Sequence, residues 1–593
     1  MTIHSDIQRR AFWLKGAEGE HSFAWLHQPR GAFTRRVGVI IVGPIGPEYM
    51  HSHRSLRYLA DQLAAQGFTS LRYDPLGMGN SSHDLAYESL AAGWQRNLAA
   101  ATRFFEDSLN ITDVVLVGLR SGALLVSEYL ATAAAKGAVF WYPYLKGSAF
   151  VRDLQIIDSM LHIETSGTEF IEAGGYPLYP ATQTWLEDID LLKMPVKSLH
   201  HAFVINNAAQ PPSKKLQQAL SAQGVTVTQE NLSGLERMMK QSEITEVPVD
   251  NVTAILDWLN NVCTEEQENR RFEEHESEPL VLEPSALKPL VLEHCHERPL
   301  FIAAERPMFG IVTEPHQPDH KKPLLIFING GSGHHAGPNR MYVDICRRLA
   351  EEGFSSLRLD LSNLGDSARD ITPQAHNPYA PSAAGDVNAA LNFLREHTAY
   401  DSFVVSGLCS GAHNSFQAVV QQPSADVREI ILINPLAFYW KQGDSLLAPA
   451  DSQHEADAAH YSGNVRSLSK WITLFTSPKK MRNAFAFGIR LMNKTARRLT
   501  KKMAGAVGLV QYSQLEKDLL LINQQGTRVT LFIGETEPGY RLLLAQAGDT
   551  VKKQVAKGEM HIAVISSGDH TFSSLASRRH LTGLFVEQFR RYS

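Results

Sequence analysis

The chain contains itself twice. Residues 64–81 read AAQGFTSLRYDPLGMGNS and residues 350–367 read AEEGFSSLRLDLSNLGDS, an offset of 286. Upstream, VGVIIVG (37–43) matches PLLIFING (323–330). Downstream, DVVLVGLRSGA (113–123) matches SFVVSGLCSGA (402–412) at an offset of 289. So small a drift means two copies of one unit, each large enough to own a hydrophobic core. The 593 residues therefore divide into a first domain, 1–262, a linker, 263–290, rich in Glu, Arg and Pro, and a second domain, 291–593. Strand-like PLVLE pieces lead out of the linker.

Inside each copy, short β-branched runs alternate with helical patterns. In the second, LLIFING is followed by YVDICRRLAEEG, a helical spacing closed by Gly353. Then come SSLRLD, a helix over 382–397, SFVVSG, a helix after 411, and EIILINP. Continuous apolar strands alternating with helices predict parallel sheets covered on both faces. The fold class is α/β, as two tandem, doubly wound, mostly parallel domains.

Composition excludes other classes. Apolar residues make up 44% and charged residues 20%, which no disordered or fibrous chain matches. A net charge of −5 and a pI near 6.6 give no global field for nucleic acid. Four cysteines without a CxxC pair make neither a disulfide scaffold nor a structural zinc site, and no metal or cofactor is expected. The start, MTIHSDIQRRAFWLKGAEGE, lacks the apolar run of a secretory signal. No stretch approaches 18 uninterrupted apolar residues, so the expectation is a soluble, cytoplasmic protein.

The second copy holds Gly407-Leu408-Cys409-Ser410-Gly411 between an apolar strand and a helix. This is G-x-C-x-G in the strand–turn–helix setting of a nucleophile elbow. Flanking glycines give room for the tight turn, and the middle side chain stands at a helix N-terminus, where the dipole favours a thiolate. A nucleophile needs a base. GDHTFS (568–573) offers His570 on the last strand-to-helix loop, before the final helix LTGLFVEQFRRY. The orienting acid should follow VTLFIG (529–534), where GETEPG supplies Glu535 and Glu537, with Glu537 preferred. Oxyanion donors would be the backbone N–H of Ser410 and one from the turn Asn329-Gly330-Gly331-Ser332, for which Gly331 is the candidate.

At these residues the chain resembles the α/β-hydrolase superfamily, and more narrowly the serine-aminopeptidase-like hydrolases associated with exosortase systems. The second copy resembles one branch through INGGSGHHAGPNR, LRLDLSNLGDS, GLCSG, ETEPG and GDHTF. The first resembles the other branch through PIGPEYMHSHRSLRYLA, LRYDPLGMGNS, EAGGYPL and MMKQSEITEVP. The resemblance implies Cys409 as nucleophile, His570 as base and Glu537 as acid, a position that usually carries Asp in that branch. The first copy departs from the pattern. Its elbow, Gly118-Leu119-Arg120-Ser121-Gly122, carries Arg120 at the nucleophile position, and Glu243 stands where relatives carry a His before the VP pair. That copy reads as a pseudo-hydrolase. Arg120 either pairs with Glu243 or binds an anion.

Between EIILINP and VTLFIG lies an insertion at the place of a cap, about 437–520. Residues 465–515 contain eleven Lys/Arg and no Asp or Glu, and Phe485, Ile489, Met492, Ala496, Leu499 and Met503 line one helical face. A basic helical cap is expected. It would be a solvated outer face, a dock for an acyl carrier protein or coenzyme A phosphates, or a peripheral contact with an anionic membrane. The expected activity is acyl transfer or hydrolysis on a small ester or thioester, through an acyl-cysteine. The alternative is a non-catalytic scaffold of two degenerate copies. Neither the acyl group nor the oligomeric state is legible.

Overall fold

A computed structural model describes residues 7–17, 19–30, 35–161, 170–210, 213–240, 244–263, 288–367, 376–441 and 512–593. Residues 264–287 of the linker, Glu243 and most of the expected basic cap (442–511) lie outside the described residues. The chain packs as two compact units, Met1–Asp401 with Thr571–Ser593, and Ser402–His570.

The first unit holds the whole first repeat. Its strands are β1 (Ile7–Lys15), β2 (His21–Pro29), β3 (Val37–Val42), β4 (Thr69–Tyr73), β5 (Asp113–Leu119), β6 (Ala134–Trp141), the hairpin β7 (Ile171–Ala173) and β8 (Tyr176–Leu178), β9 (Ser198–Asn207) and β10 (Thr226–Leu232). Eight of them form one sheet in the order β1-β2-β4-β3-β5-β6-β9-β10, antiparallel at β1/β2 and β2/β4 and parallel beyond. Every residue of β3 is buried because both faces are covered. Ile40, Val42 and Leu116 face one core with the helices Leu90–Leu109 and Gly122–Leu130. Their neighbours Val39, Ile41, Val115 and Val117 face the other, against Glu48–Ala65 and Val249–Val262. The two-residue period of a strand thus splits one apolar run between two cores.

The same unit contains the start of the second repeat: β11 (Leu290–Val291), β12 (Cys295–Ile302), β13 (Met308–Pro315), β14 (Leu324–Ile328) and β15 (Ser356–Asp360), ordered β11-β12-β13-β15-β14. Helices Met341–Glu351, Ala383–His397 and Leu575–Phe589 accompany it. The first ends where expected, with Gly353 at φ 80° just beyond. The last begins six residues earlier than LTGLFVEQFRRY suggested. Its cap is Ser574, whose hydroxyl accepts from Ser577 N–H.

The repeat extends to individual hydrogen bonds. Asp74 accepts from Asn80 N–H at 2.9 Å, and Asp360 accepts from Asp366 N–H at 2.8 Å. Ser81 and Ser367 donate to the carbonyls of Asp74 and Asp360 (2.7 and 2.8 Å) and accept from Phe23 and Phe309 N–H (2.9 and 2.7 Å). A Cβ on Gly79 or Gly365 would lie 2.1 or 2.3 Å from the respective aspartate oxygen, so both turns require glycine.

The second unit carries four parallel strands, β16 (Phe403–Leu408), β17 (Val427–Ile433), β18 (Arg528–Gly534) and β19 (Met560–Ile565), in that spatial order. Helices Ser410–Gln421, Gln514–Gln524 and Pro538–Ala556 join them. The second of these starts in a capping box between Ser513 and Glu516. Each expected strand and helix of this stretch is present where it is described.

Candidate active site

Four loops follow the C-terminal ends of these strands, where an open parallel sheet presents its ligands. After β16 the backbone turns at Cys409, with φ 58° and ψ −112°, and enters the helix Ser410–Gln421. A non-glycine residue rarely adopts this conformation, and such strain clusters at functional sites. It is held by Cys409 N–H donating to Ile433 O (2.9 Å) and by His413 N–H donating to Cys409 O (3.1 Å). A Cβ on Gly407 would sit 2.6–2.9 Å from the backbone of Gly411, so the two glycines of the motif press directly on one another. Cys409 is 6% exposed, and Ser410 is fully buried at the first helical position.

His570 lies on the loop after β19. Its Nδ1 is 2.8 Å from Glu537 Oε2, and its ring is hydrogen-bonded to the Cys409 thiol. Glu537 is buried at the N-cap of Pro538–Ala556, whereas Glu535 is exposed and does not meet the histidine. Burial works against the imidazolium, but the hydrogen bonds and negative charges of Cys409 and Glu537 outweigh it, and His570 titrates well above the usual histidine range. A second histidine nearby behaves oppositely. Burial pushes His413 down to about 4, against the opposing pull of the Ala437 carbonyl at its Nδ1, so it is neutral near pH 7.

Asn434, which sequence reasoning missed, ties the loops together. Its amide donates to the carbonyls of Asp569 (3.1 Å) and His570 (2.9 Å) and accepts from Gly534 N–H (2.8 Å). It is fully buried with φ 42°. The available signal was the Asn-Pro pair closing EIILINP, since asparagine tolerates the left-handed region. Gly534 has no room for a Cβ, which would lie 2.3 Å from Gly568 O. Gly331, the other expected oxyanion donor, lies in the first unit at φ 56°, in a turn where Asn329 donates to Gly333 O at 3.0 Å.

The first repeat builds the same elbow around a different side chain. Arg120 has φ 54° and its N–H donates to Trp141 O at 2.9 Å. Its guanidinium pairs with Glu48 (2.9 Å), donates to Tyr144 OH (2.6 Å) and lies 4.1 Å over the Tyr144 ring. The described partner is thus Glu48, from the first turn of Glu48–Ala65, which the sequence did not single out. Burial raises the Glu48 carboxyl while Arg120 opposes the shift. The Ser121 hydroxyl is buried and accepts from the Ile45 N–H at 3.0 Å.

Among the described residues, His335, Asp360 and Asp366 could gather around a metal ion. Most of their ligand atoms already have partners, Asp360 Oδ1 being buried without a hydrogen-bond partner. His335 bonds Asp360 (2.8 Å) and Asn80 (2.9 Å), while Asp366 pairs with Arg72 and with His53 at 3.2 Å.

No protein-family description matches the sequence. No curated protein matches it. Among solved structures, dienelactone hydrolase from Anabaena variabilis is 10% identical, covering 50% of this chain and 99% of its own, with a TM-score of 0.31. Est1E from Butyrivibrio proteoclasticus is 14% identical over 50% of this chain and 98% of its own (TM-score 0.30). Proline iminopeptidase from Mycobacterium smegmatis is 13% identical over 43% and 99% (TM-score 0.31). Likenesses this distant carry no argument about activity. The chain's own strand orders and its strained strand–turn–helix elbows establish the fold. It is an α/β-hydrolase fold.

Proposed function

We propose that the chain is an acyl-transfer enzyme acting on an ester or thioester through an acyl-cysteine. The observation that carries this reading is the run of contacts from Cys409 to His570 to Glu537, with a histidine that holds its proton. In this reading the thiol proton has already passed to His570 Nε2, giving a thiolate beside an imidazolium, and the thiolate Sγ then attacks the carbonyl carbon. The carbonyl electron pair moves onto oxygen, where the Ser410 N–H at the helix N-terminus stabilises it. Collapse breaks the bond to the leaving alkoxide or thiolate, which takes the proton from His570. Water, or a second nucleophile deprotonated by His570, then attacks the acyl-cysteine and regenerates the thiol. Glu537 holds the ring in the working tautomer and stabilises the imidazolium.

The reading assigns this chemistry to a domain at 291–593 and treats 1–262 as a pseudo-hydrolase. Support for the second point is the ion pair of Arg120 and Glu48 standing where a nucleophile would stand. An acyl carrier protein or coenzyme A as donor is the finer proposal, resting on the basic stretch 465–515 of the sequence. The test is intact-mass measurement after exposure to acyl-thioester and p-nitrophenyl ester panels. One acyl increment is expected on the wild type and none on Cys409→Ala. A wild type that gains no acyl mass and turns nothing over would leave a non-catalytic scaffold.

A further inference from the structure

The first unit contains a cavity of about 470 Å³ that the acyl chemistry does not use. It opens between the loop Gly77–Ala86 and hairpin β7–β8 of the first repeat and the helices Met341–Glu351 and Leu575–Phe589. Its size falls in the range of small-molecule sites. Four arginines line it, Arg340, Arg348, Arg578 and Arg579, against two carboxylates, Asp84 and Asp344.

Two of these arginines are in an unusual position. Arg340 and Arg578 are each 7% exposed, yet neither has a carboxylate within hydrogen-bonding distance. Arg340 donates to the carbonyls of Gly77 (2.9 Å), His83 (2.5 Å) and Ser81 (2.8 Å), and its nearest acid, Asp344, is 3.8 Å away. Arg578 donates to the carbonyls of Asn339 (2.7 Å) and Gly175. The Nε of both is buried without a hydrogen-bond partner. A guanidinium carries five N–H donors, so each keeps donors unspent. Burial accordingly pushes Arg340 down to about 10 and lowers Arg578. Buried cations held mainly by carbonyl dipoles are costly, and an anion in the cavity would add counter-charge that Asp344, 3.8 Å from Arg340, supplies only in part. The backbone there is strained as well. Asn339 and Arg340 are consecutive non-glycine residues at φ 50° and 66°.

The remaining walls narrow the ligand. Tyr176 and Tyr179 offer aromatic surface, Pro177, Met341, Leu575 and Val586 are apolar, and the two carboxylates can accept from hydroxyl or amino groups. Arg579 is exposed and makes no hydrogen bond or ion pair among the described residues, leaving its charge available at the rim. We infer that this cavity binds an organic phosphate of nucleotide size, with the phosphate among the arginines and a ring body against the tyrosines. Arg340 and Arg578 are built into the wall, so the site is a feature of how the two repeats meet within this unit.

Calorimetry on the full chain with AMP, adenosine and inorganic phosphate tests the assignment. AMP should bind saturably with a Kd of about 1 mM or tighter, adenosine and phosphate each at least about tenfold more weakly. Arg579→Ala should weaken AMP by about fivefold or more while leaving Tm unchanged, because that side chain supports nothing else. Cys409→Ala should bind AMP as the wild type does, so failure here is distinguishable from failure of the acyl-transfer reading. No saturable AMP binding at 10-fold above that Kd, adenosine binding as tightly as AMP, or an Arg579→Ala that binds AMP normally would each overturn the inference. Phosphate binding as tightly as AMP would remove the ring body and overturn it too.

Discussion

Two elbows in one chain share a backbone and differ in one side chain. Cys409 and Arg120 sit at φ 58° and 54°, each with its N–H on a carbonyl of the neighbouring parallel strand, Ile433 or Trp141. In one, the side chain meets a histidine backed by a buried glutamate. In the other, it meets Glu48 and Tyr144 and satisfies its own charge. The strained turn is therefore a property of the architecture, kept whether or not chemistry happens there. What separates a candidate catalyst from a plugged copy is the partner set that the surrounding loops bring in.

The largest effect should come from removing the nucleophile. Cys409→Ala should abolish acyl-enzyme formation and lower kcat by at least about 10⁴-fold in ester or thioester assays, with the circular dichroism spectrum unchanged. Arg120→Cys should restore nothing on that background, since the first elbow has no histidine among its described contacts. Activity regained from Arg120→Cys would break the distinction between the copies.

Next comes the acid. Glu537→Gln should cost about 10³- to 10⁴-fold in kcat, whereas Glu535→Gln, exposed and away from His570, should stay within about twofold. Equal losses in both would sink the assignment of Glu537.

The first elbow makes a prediction about stability instead. Arg120→Met should leave Glu48 half-buried without its counter-charge and cost about 2 kcal/mol in denaturant unfolding, less than a fully buried pair because both side chains are partly exposed. The double variant with Glu48→Gln should recover most of that loss, and acyl transfer should be unaffected in both.

Smaller still is the pH dependence of the second elbow. The folded-state pKa of His570 is raised, so its pairing contributes stability fully below the unfolded value near 6.5, and that contribution is lost as pH rises through the folded value. The Tm difference between wild type and Glu537→Gln should therefore be largest at or below pH 6.5 and shrink on the alkaline side. A difference that grows with pH would contradict the raised value.

Most of the frame was legible in the sequence because it rests on local patterns. Apolar strand runs, glycine at the turns, and the self-match at an offset of 286 residues needed no tertiary information. His570 and the acidic pair Glu535 and Glu537 were legible because each follows a recognisable strand in the order the elbow demands. Asn434 was not, since an Asn-Pro after a strand is ordinary turn chemistry until its amide is seen bridging Gly534 and His570. Glu48 escaped for a similar reason. It is 72 residues from Arg120, and a carboxylate in the first turn of a helix is already explained by the helix dipole.

The sequence by itself determined the duplicated α/β frame, the two elbow positions and the residue at each tip, because periodicity and motif spacing are properties of the chain alone. Tertiary structure decided which acid meets His570, what Arg120 pairs with, and that Arg340 and Arg578 are buried with backbone carbonyls and no carboxylate as their hydrogen-bond partners. Those outcomes depend on burial and on contacts between residues far apart in sequence, where charge, distance and desolvation act together and no local pattern records them.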